Sequence, residues 1–226
     1  MNRRAFVERF LALPVVPAGF LRAAEAPQGE AQPGLSPDQA LTRLMEGNGR
    51  YTTSHLEHPD QTARRRKELV SGQHPFACIL ACSDSRVSPE IVFDEGLGDL
   101  FVIRVAGNIV DDAVTGSIEY AVEHLATPLA LVLGHEKCGA VQATIGGGEP
   151  KTHIQSLADA IMPAVSEARK QPGDLVANAV AANVRLVVRQ LRASQPILAK
   201  AIASGRVKIE GGVYDLETGS VKILPG

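Results

Sequence analysis

A chain of 226 residues, 45% hydrophobic and 21% charged, has the make-up of one sizeable globular domain. Its net charge of −2, its lack of Trp and its 4% aromatic content argue against both an electrostatic grip on nucleic acid and a base-stacking platform. Three cysteines in a chain this long do not make a disulfide framework, which leaves metal binding, catalysis or burial for their thiols.

The chain opens with Arg3-Arg4, then Phe6-Val7, then an apolar stretch from Phe10 to Leu21 that is too short for a permanent span. Ala24-Glu25-Ala26 is a small-x-small cleavage pattern. This arrangement resembles a bacterial twin-arginine export signal. Residues 1–26 are therefore expected to be an export signal, and the mature protein periplasmic or secreted with no permanent membrane anchor. Without such processing it would be cytoplasmic. Residues 27–35, rich in Pro, Gly and Gln, read as a linker, and 36–226 as a single catalytic domain.

Ser36-Pro37-Asp38 offers an N-cap, a proline in the first turn and an acid near the positive end of the helix dipole. The helix it opens carries Leu41, Leu44 and Met45 and is expected to stop at Gly47-Asn48-Gly49. A second helix is predicted over 62–70, ending at Gly72, with Arg64-Arg65-Arg66-Lys67 as a solvated face. Together these make an N-terminal helical arm. Phe76 to Ala81 and Pro128 to Leu133 are short aliphatic runs without alternation, as buried parallel strands require. Between them lie a turn or short helix at Ser88-Pro89-Glu90, a strand over 100–105 closed by Ala106-Gly107-Asn108, and a helix over 115–125.

Cys138-Gly139 should begin a helix, bringing the Gly139 N–H near the preceding strand end. Gly146 to Lys151 reads as a flexible turn; it lacks the Gly-Lys-Ser/Thr ending of a phosphate loop. Residues 152–203 are mostly helical with a break at Gln171-Pro172-Gly173, and Asn178, Asn183, Arg185 and Arg189 mark the polar side. Strands over 207–214 and 220–224 close the chain. The alternation predicts an α/β fold: a mainly parallel central sheet of four to five strands flanked by helices.

If the runs ending at Ala81 and Leu133 are neighbouring parallel strands, Cys82, His135 and Cys138 converge at their C-terminal ends. Two thiolates and an imidazole are ligands of the zinc-preferring kind, and a set of three leaves a position for water or for Asp84. Cys78, inside its run, reads as a buried hydrophobe. Arg86 supplies a fork suited to the Asp84 carboxylate and would hold it off the metal. A structural zinc site, or Cys82 as a nucleophile with His135 as its base, satisfies the same residue types.

Cys82-Ser83-Asp84-Ser85-Arg86, followed by Gly134-His135-x-x-Cys138-Gly139-Ala140, resembles the β-class carbonic anhydrases. The resemblance runs from the helix at Leu41 to the segment Gly212-Val213-Tyr214-Asp215. It implies Zn2+ on Cys82, His135 and Cys138, with Asp84 and Arg86 as the catalytic dyad and Asp84 as a fourth ligand in a closed form. Gln73, Phe101 and Tyr120 fall where plant-like members line the substrate pocket, part of it across a dimer interface.

The activity implied is reversible hydration of CO2 to bicarbonate and a proton by zinc hydroxide, with Gly139 and Gln73 stabilising developing charge. The chain would work as a homodimer or a homotetramer. Hydrolysis of a CO2-like molecule such as carbonyl sulfide or carbon disulfide, or a catalytically retired zinc protein, are the alternatives. Some members carry an inhibitory bicarbonate pocket of Trp, Arg and Tyr. Here Arg104 and Tyr214 match, but Ile79 replaces the Trp, so structural hydrogen bonding is the expected role of both.

Overall fold

The structure, a computed structural model, describes residues 34–148 and 152–225. The expected export signal, most of the linker and the tip of the 146–151 turn lie outside the described residues.

Helix α1 (Pro37–Thr52) begins in a capping box: Gln39 N–H donates to Ser36 Oγ at 3.3 Å, and Ser36 N–H to Gln39 Oε1 at 2.8 Å. It does not stop at Gly47-Asn48-Gly49 as the sequence suggests, and the reason is tertiary. A Cβ on Gly47 would sit 1.8 Å from the Phe93 carbonyl oxygen, so glycine there permits close approach of two backbones. Asn48 is buried; its Nδ2 donates to Val92 O (3.0 Å) and Gly219 O (2.9 Å), and its Oδ1 accepts from Val221 N–H (2.8 Å). The arm packs on its own domain, and salt bridges of 2.6 Å join Arg43 to Glu95 and Arg50 to Asp94.

Helix α2 (Ala63–Glu68) is capped by Thr62 and runs into a 3-10 turn at Leu69–Ser71. Strand β1 (Ala77–Ala81), the short helix α3 (Pro89–Val92) and β2 (Leu100–Arg104) follow, then a 3-10 turn at Ala106–Asn108 and α4 (Asp112–His124). Next come β3 (Leu129–His135), α5 (Gly139–Gly146), α6 (Ile154–Ala168), α7 (Leu175–Ala193) and α8 (Ile197–Ala203). Strands β4 (Lys208–Tyr214) and β5 (Val221–Ile223) complete a sheet of order β2-β1-β3-β4-β5, parallel except for β5.

Alternation along the central strands builds two layers. Cys78, Leu80, Ala130, Val132 and Ile209 face α4, α7 and α8, while Ile79, Ala81, Leu131 and Leu133 face α1 and Phe93. Cys78 is therefore a core residue. Each fully buried leucine in these layers contributes about 1.5–3 kcal/mol by leaving water. Asn183, expected on the polar side of its helix, is instead 1% exposed. The chain passes from β1 outward to β2, then back across β1 to β3. The crevice at the C-terminal ends of β1 and β3 is thus the topological switch point, where open α/β sheets take their ligands.

Candidate metal centre

Cys82 directly follows β1, His135 ends β3, and Cys138 is the N-cap of α5. The parallel register pairs Ala81 with Leu133, so these ends lie side by side. One ligand atom from each of the three residues falls within 4.8 Å of the other two. The site is buried: His135 is 0%, Cys138 1% and Cys82 4% exposed.

His135 Nδ1 lies 2.9 Å from Glu136 O, a carbonyl that can only accept, so Nδ1 carries the proton and Nε2 presents its lone pair. Nε2 is buried without a hydrogen-bond partner among the described residues. The Cys82 thiol is pulled well below its ordinary pKa, first by the Cys138 thiol, then by His135 and the Gly107 and Asp84 backbone N–H groups, against its burial. Cys138 is pushed up, because the neighbouring sulfur and burial both oppose a second negative charge. Two sulfurs this close resist a second negative charge, which favours one proton shared between them. A divalent cation among these atoms would remove that proton and satisfy Nε2, and two sulfurs with one imidazole are the donors zinc prefers. The residues fit zinc.

Asp84 stands beside the centre, its Oδ2 3.8 Å from His135 Nε2. Its Oδ1 accepts from the Arg86 N–H (3.0 Å) and Nε (2.9 Å), and its Oδ2 from Arg86 Nη2 (2.8 Å). The Arg86 fork holds the carboxyl well below the usual carboxylate range in spite of partial burial. Gly139 opens α5, so its amide lies among the free N–H groups of that helix end, and nothing stands within 4 Å of where a Cβ would be.

Gln73, Phe101 and Tyr120 are not brought to this centre within the chain. Gln73 is exposed ahead of β1, at the far end of the sheet, beside a cleft that also takes in Val70 and Leu97. Phe101 is in register with Cys78, four positions before Cys82, or roughly 13 Å along the strand. Tyr120 on α4 lies against it in a tilted arrangement, ring centroids 6.3 Å apart.

Two contributors were not legible as site residues. Arg104 donates from Nε to Cys82 O (3.1 Å) and from Nη2 to Asp84 O (2.6 Å), so its hydrogen bonds are structural, as expected, and brace the metal-site loop. Tyr214 likewise pairs with Tyr51, 3.2 Å between hydroxyl oxygens, while Ile79 is core. Gly107 N–H donates to Cys82 Sγ at 3.3 Å; the only sequence signal was a glycine closing a strand.

The model of the carbonic anhydrase family matches residues 77–221. The chain is 40% identical over 195 residues to a carbonic anhydrase of Mycolicibacterium smegmatis, covering 84% of this chain and 95% of that one. It is equally, 40%, identical over 191 residues to carbonic anhydrase 2 of Mycobacterium tuberculosis, with 83% and 92% covered. Among solved structures, the β-carbonic anhydrase CcaA aligns with a TM-score of 0.66 at 29% identity, over 82% of this chain and 88% of that chain. The Coccomyxa β-carbonic anhydrase, solved with acetazolamide, aligns with a TM-score of 0.65 at 31% identity, over 81% and 86%. Sequence likeness over most of both chains and a shared fold lead to one conclusion: this chain belongs to the β-class carbonic anhydrases.

Proposed function

We propose that the protein catalyses the reversible hydration of CO2 to bicarbonate and a proton, with zinc held by Cys82, His135 and Cys138. The observation that carries this reading is the convergence of three buried ligand atoms within 4.8 Å, beside a carboxylate fixed by Arg86. When bound, zinc supplies a Lewis acid that makes water acidic near neutral pH.

The chain's own residues supply the rest. Both Asp84 oxygens are engaged by Arg86, so in this conformation the carboxylate is a hydrogen-bond acceptor beside the place where Cys82, His135 and Cys138 would hold the metal. Kept ionised, it accepts a hydrogen bond from the attacking oxygen and orients its lone pair toward CO2. The Gly139 N–H, in the first turn of α5, would favour negative charge as bicarbonate forms. Should Asp84 leave Arg86, its carboxylate, 3.8 Å from His135 Nε2, would be near enough to join Cys82, His135 and Cys138 as a fourth ligand, the closed form. A catalytically retired protein would have no need of this oriented dyad, and carbonyl sulfide or carbon disulfide hydrolysis finds no separate support. Metal analysis coupled to stopped-flow CO2 hydration tests the proposal; zinc-loaded protein inert toward CO2 under alkaline conditions would refute it.

A homo-oligomer fits the placement of Gln73, Phe101 and Tyr120 away from their own chain's metal. A second copy could bring them to it, and Val70 (86% exposed), Ile91 (59%), Leu97 (47%) and Tyr120 (47%) offer apolar surface for the contact. Light scattering on wild type and Tyr120→Arg tests this; a wild-type monomer with full activity would refute it. Export to the periplasm remains part of the proposal on the strength of Arg3-Arg4 and the apolar stretch behind them. Sequencing the N-terminus of the mature protein decides it. Among the described residues, no helix is long and apolar enough to cross a membrane.

A further inference from the structure

Gly107 holds a demanding position. Its φ of +74° is left-handed, and a Cβ there would lie 2.6 Å from Ile161 Cδ1 and 3.3 Å from Ala140 Cβ. Only glycine suits the site, yet glycine is the residue whose backbone turns most freely. Something else must hold the turn. One restraint is local: Asn108 N–H donates to Val105 O at 2.9 Å. The other comes from the middle of α7, where Asn183 Nδ2 donates to the Gly107 carbonyl at 2.8 Å.

Asn183 is 1% exposed on a helix face that also carries Val180, Val184 and Val187. Burying a carboxamide there is unfavourable unless its hydrogen bonds are made. Among the described residues its Oδ1 has no hydrogen-bond partner, and the bond to Gly107 is the one its side chain makes there. Packing does not account for it, since leucine has nearly the same shape and no polar atoms to satisfy.

We infer that Asn183 is a positioning residue of the metal centre. By holding the Gly107 carbonyl it fixes the backbone on one side of that glycine, so that the N–H on the other side stays aimed at Cys82 Sγ. This rests on the reading of Cys82 as a metal ligand. A hydrogen bond to a ligating thiolate draws charge away from the metal and leaves it a stronger Lewis acid. Asn183 thereby partly offsets the charge that two thiolate ligands donate.

The test compares wild type with Asn183→Leu, both loaded with zinc for kinetics and with cadmium for NMR. Wild type should show scalar coupling between the Gly107 amide proton and cadmium through the sulfur. The variant should lose that coupling, and its pH profile should move to higher pH. Its kcat should fall more than KM changes, by about 10- to 100-fold, the range typical of groups that orient metal ligands. Asn178→Leu is the control: Asn178 lies on the same helix and donates to Pro172 O at 3.0 Å, so its loss should affect stability alone. Coupling and pH profile unchanged in Asn183→Leu would overturn the inference, whatever its melting temperature. If that variant does not fold, Asn183→Ser is judged on the same readouts. A wild type that takes up cadmium at Cys82 without the coupling overturns this inference alone, whereas one that takes up neither metal overturns the site itself.

Discussion

Replacing Arg86 with alanine separates the two tasks assigned to it, keeping Asp84 ionised and keeping it in place. The change removes the bonds of 2.9 and 2.8 Å from Nε and Nη2 and leaves only the backbone N–H at 3.0 Å. The Asp84 carboxyl, held low by Arg86, should then rise toward its ordinary value of about 3.9. Because the folded-state value is depressed, the ionised form persists down to low pH in wild type. In the variant it protonates at a higher pH, still well below neutrality. Titration therefore cannot lower the rate at neutral pH. Displacement can: with Oδ2 3.8 Å from His135 Nε2, the released carboxylate needs little movement to reach the metal.

The expected outcome is a rate loss of about 10- to 100-fold at neutral pH, in the range for groups that orient metal-site residues. The loss should shrink as pH rises and hydroxide competes better for the metal. Arg86→Lys should recover only part of it, since an ammonium cannot span both oxygens as the guanidinium does. Stopped-flow CO2 hydration across neutral to alkaline pH reads the rate. X-ray absorption reads whether water or carboxylate completes two sulfurs and one nitrogen. Wild-type rates in Arg86→Ala, or a lowered rate with the same pH dependence as wild type and an unchanged spectrum, would refute the displacement reasoning.

Cys82→Ser should lose most of its zinc by elemental analysis and melt at a lower temperature, because bound metal stabilises the fold by mass action. Asp84→Asn should keep its zinc and lose most CO2 hydration; parallel loss of zinc in that variant would mean that Asp84 is a resident ligand. Gly107→Ala forces a positive φ on a side chain and presses a Cβ to 2.6 Å from Ile161, so denaturant unfolding should show destabilisation of about 1–3 kcal/mol or more. Asn48→Ala strips partners from three buried backbone groups and should cost about 1–3 kcal/mol for each left dry; a midpoint within error of wild type would show that water replaces the side chain.

The sequence by itself pointed to Cys82, His135 and Cys138 as a candidate zinc triad, with Asp84 and Arg86 beside it, and the reason is local. Residues at or just past strand ends are placed by those strands, and Arg86 reaches Asp84 across two residues with no help from the fold. The aliphatic runs at 76–81 and 128–133 likewise declared buried parallel strands, because a strand covered on both faces has no polar side to show. What only the tertiary structure decided involves partners distant along the chain. Gly47-Asn48-Gly49 looked like a helix end. It is helix interior, because Phe93 needs the space and Val92, Gly219 and Val221 use the amide of Asn48. Asn183 looked like a solvent-facing residue. It is buried against Gly107, a contact that helical periodicity cannot register since it depends on a turn in another part of the chain. Gln73, Phe101 and Tyr120 belong to the same kind: the strand register sets Phe101 four positions before Cys82, Tyr120 on α4 lies against Phe101, and Gln73 precedes β1 at the opposite end of the sheet. Local chemistry named the metal centre, and long-range packing decided which groups surround it.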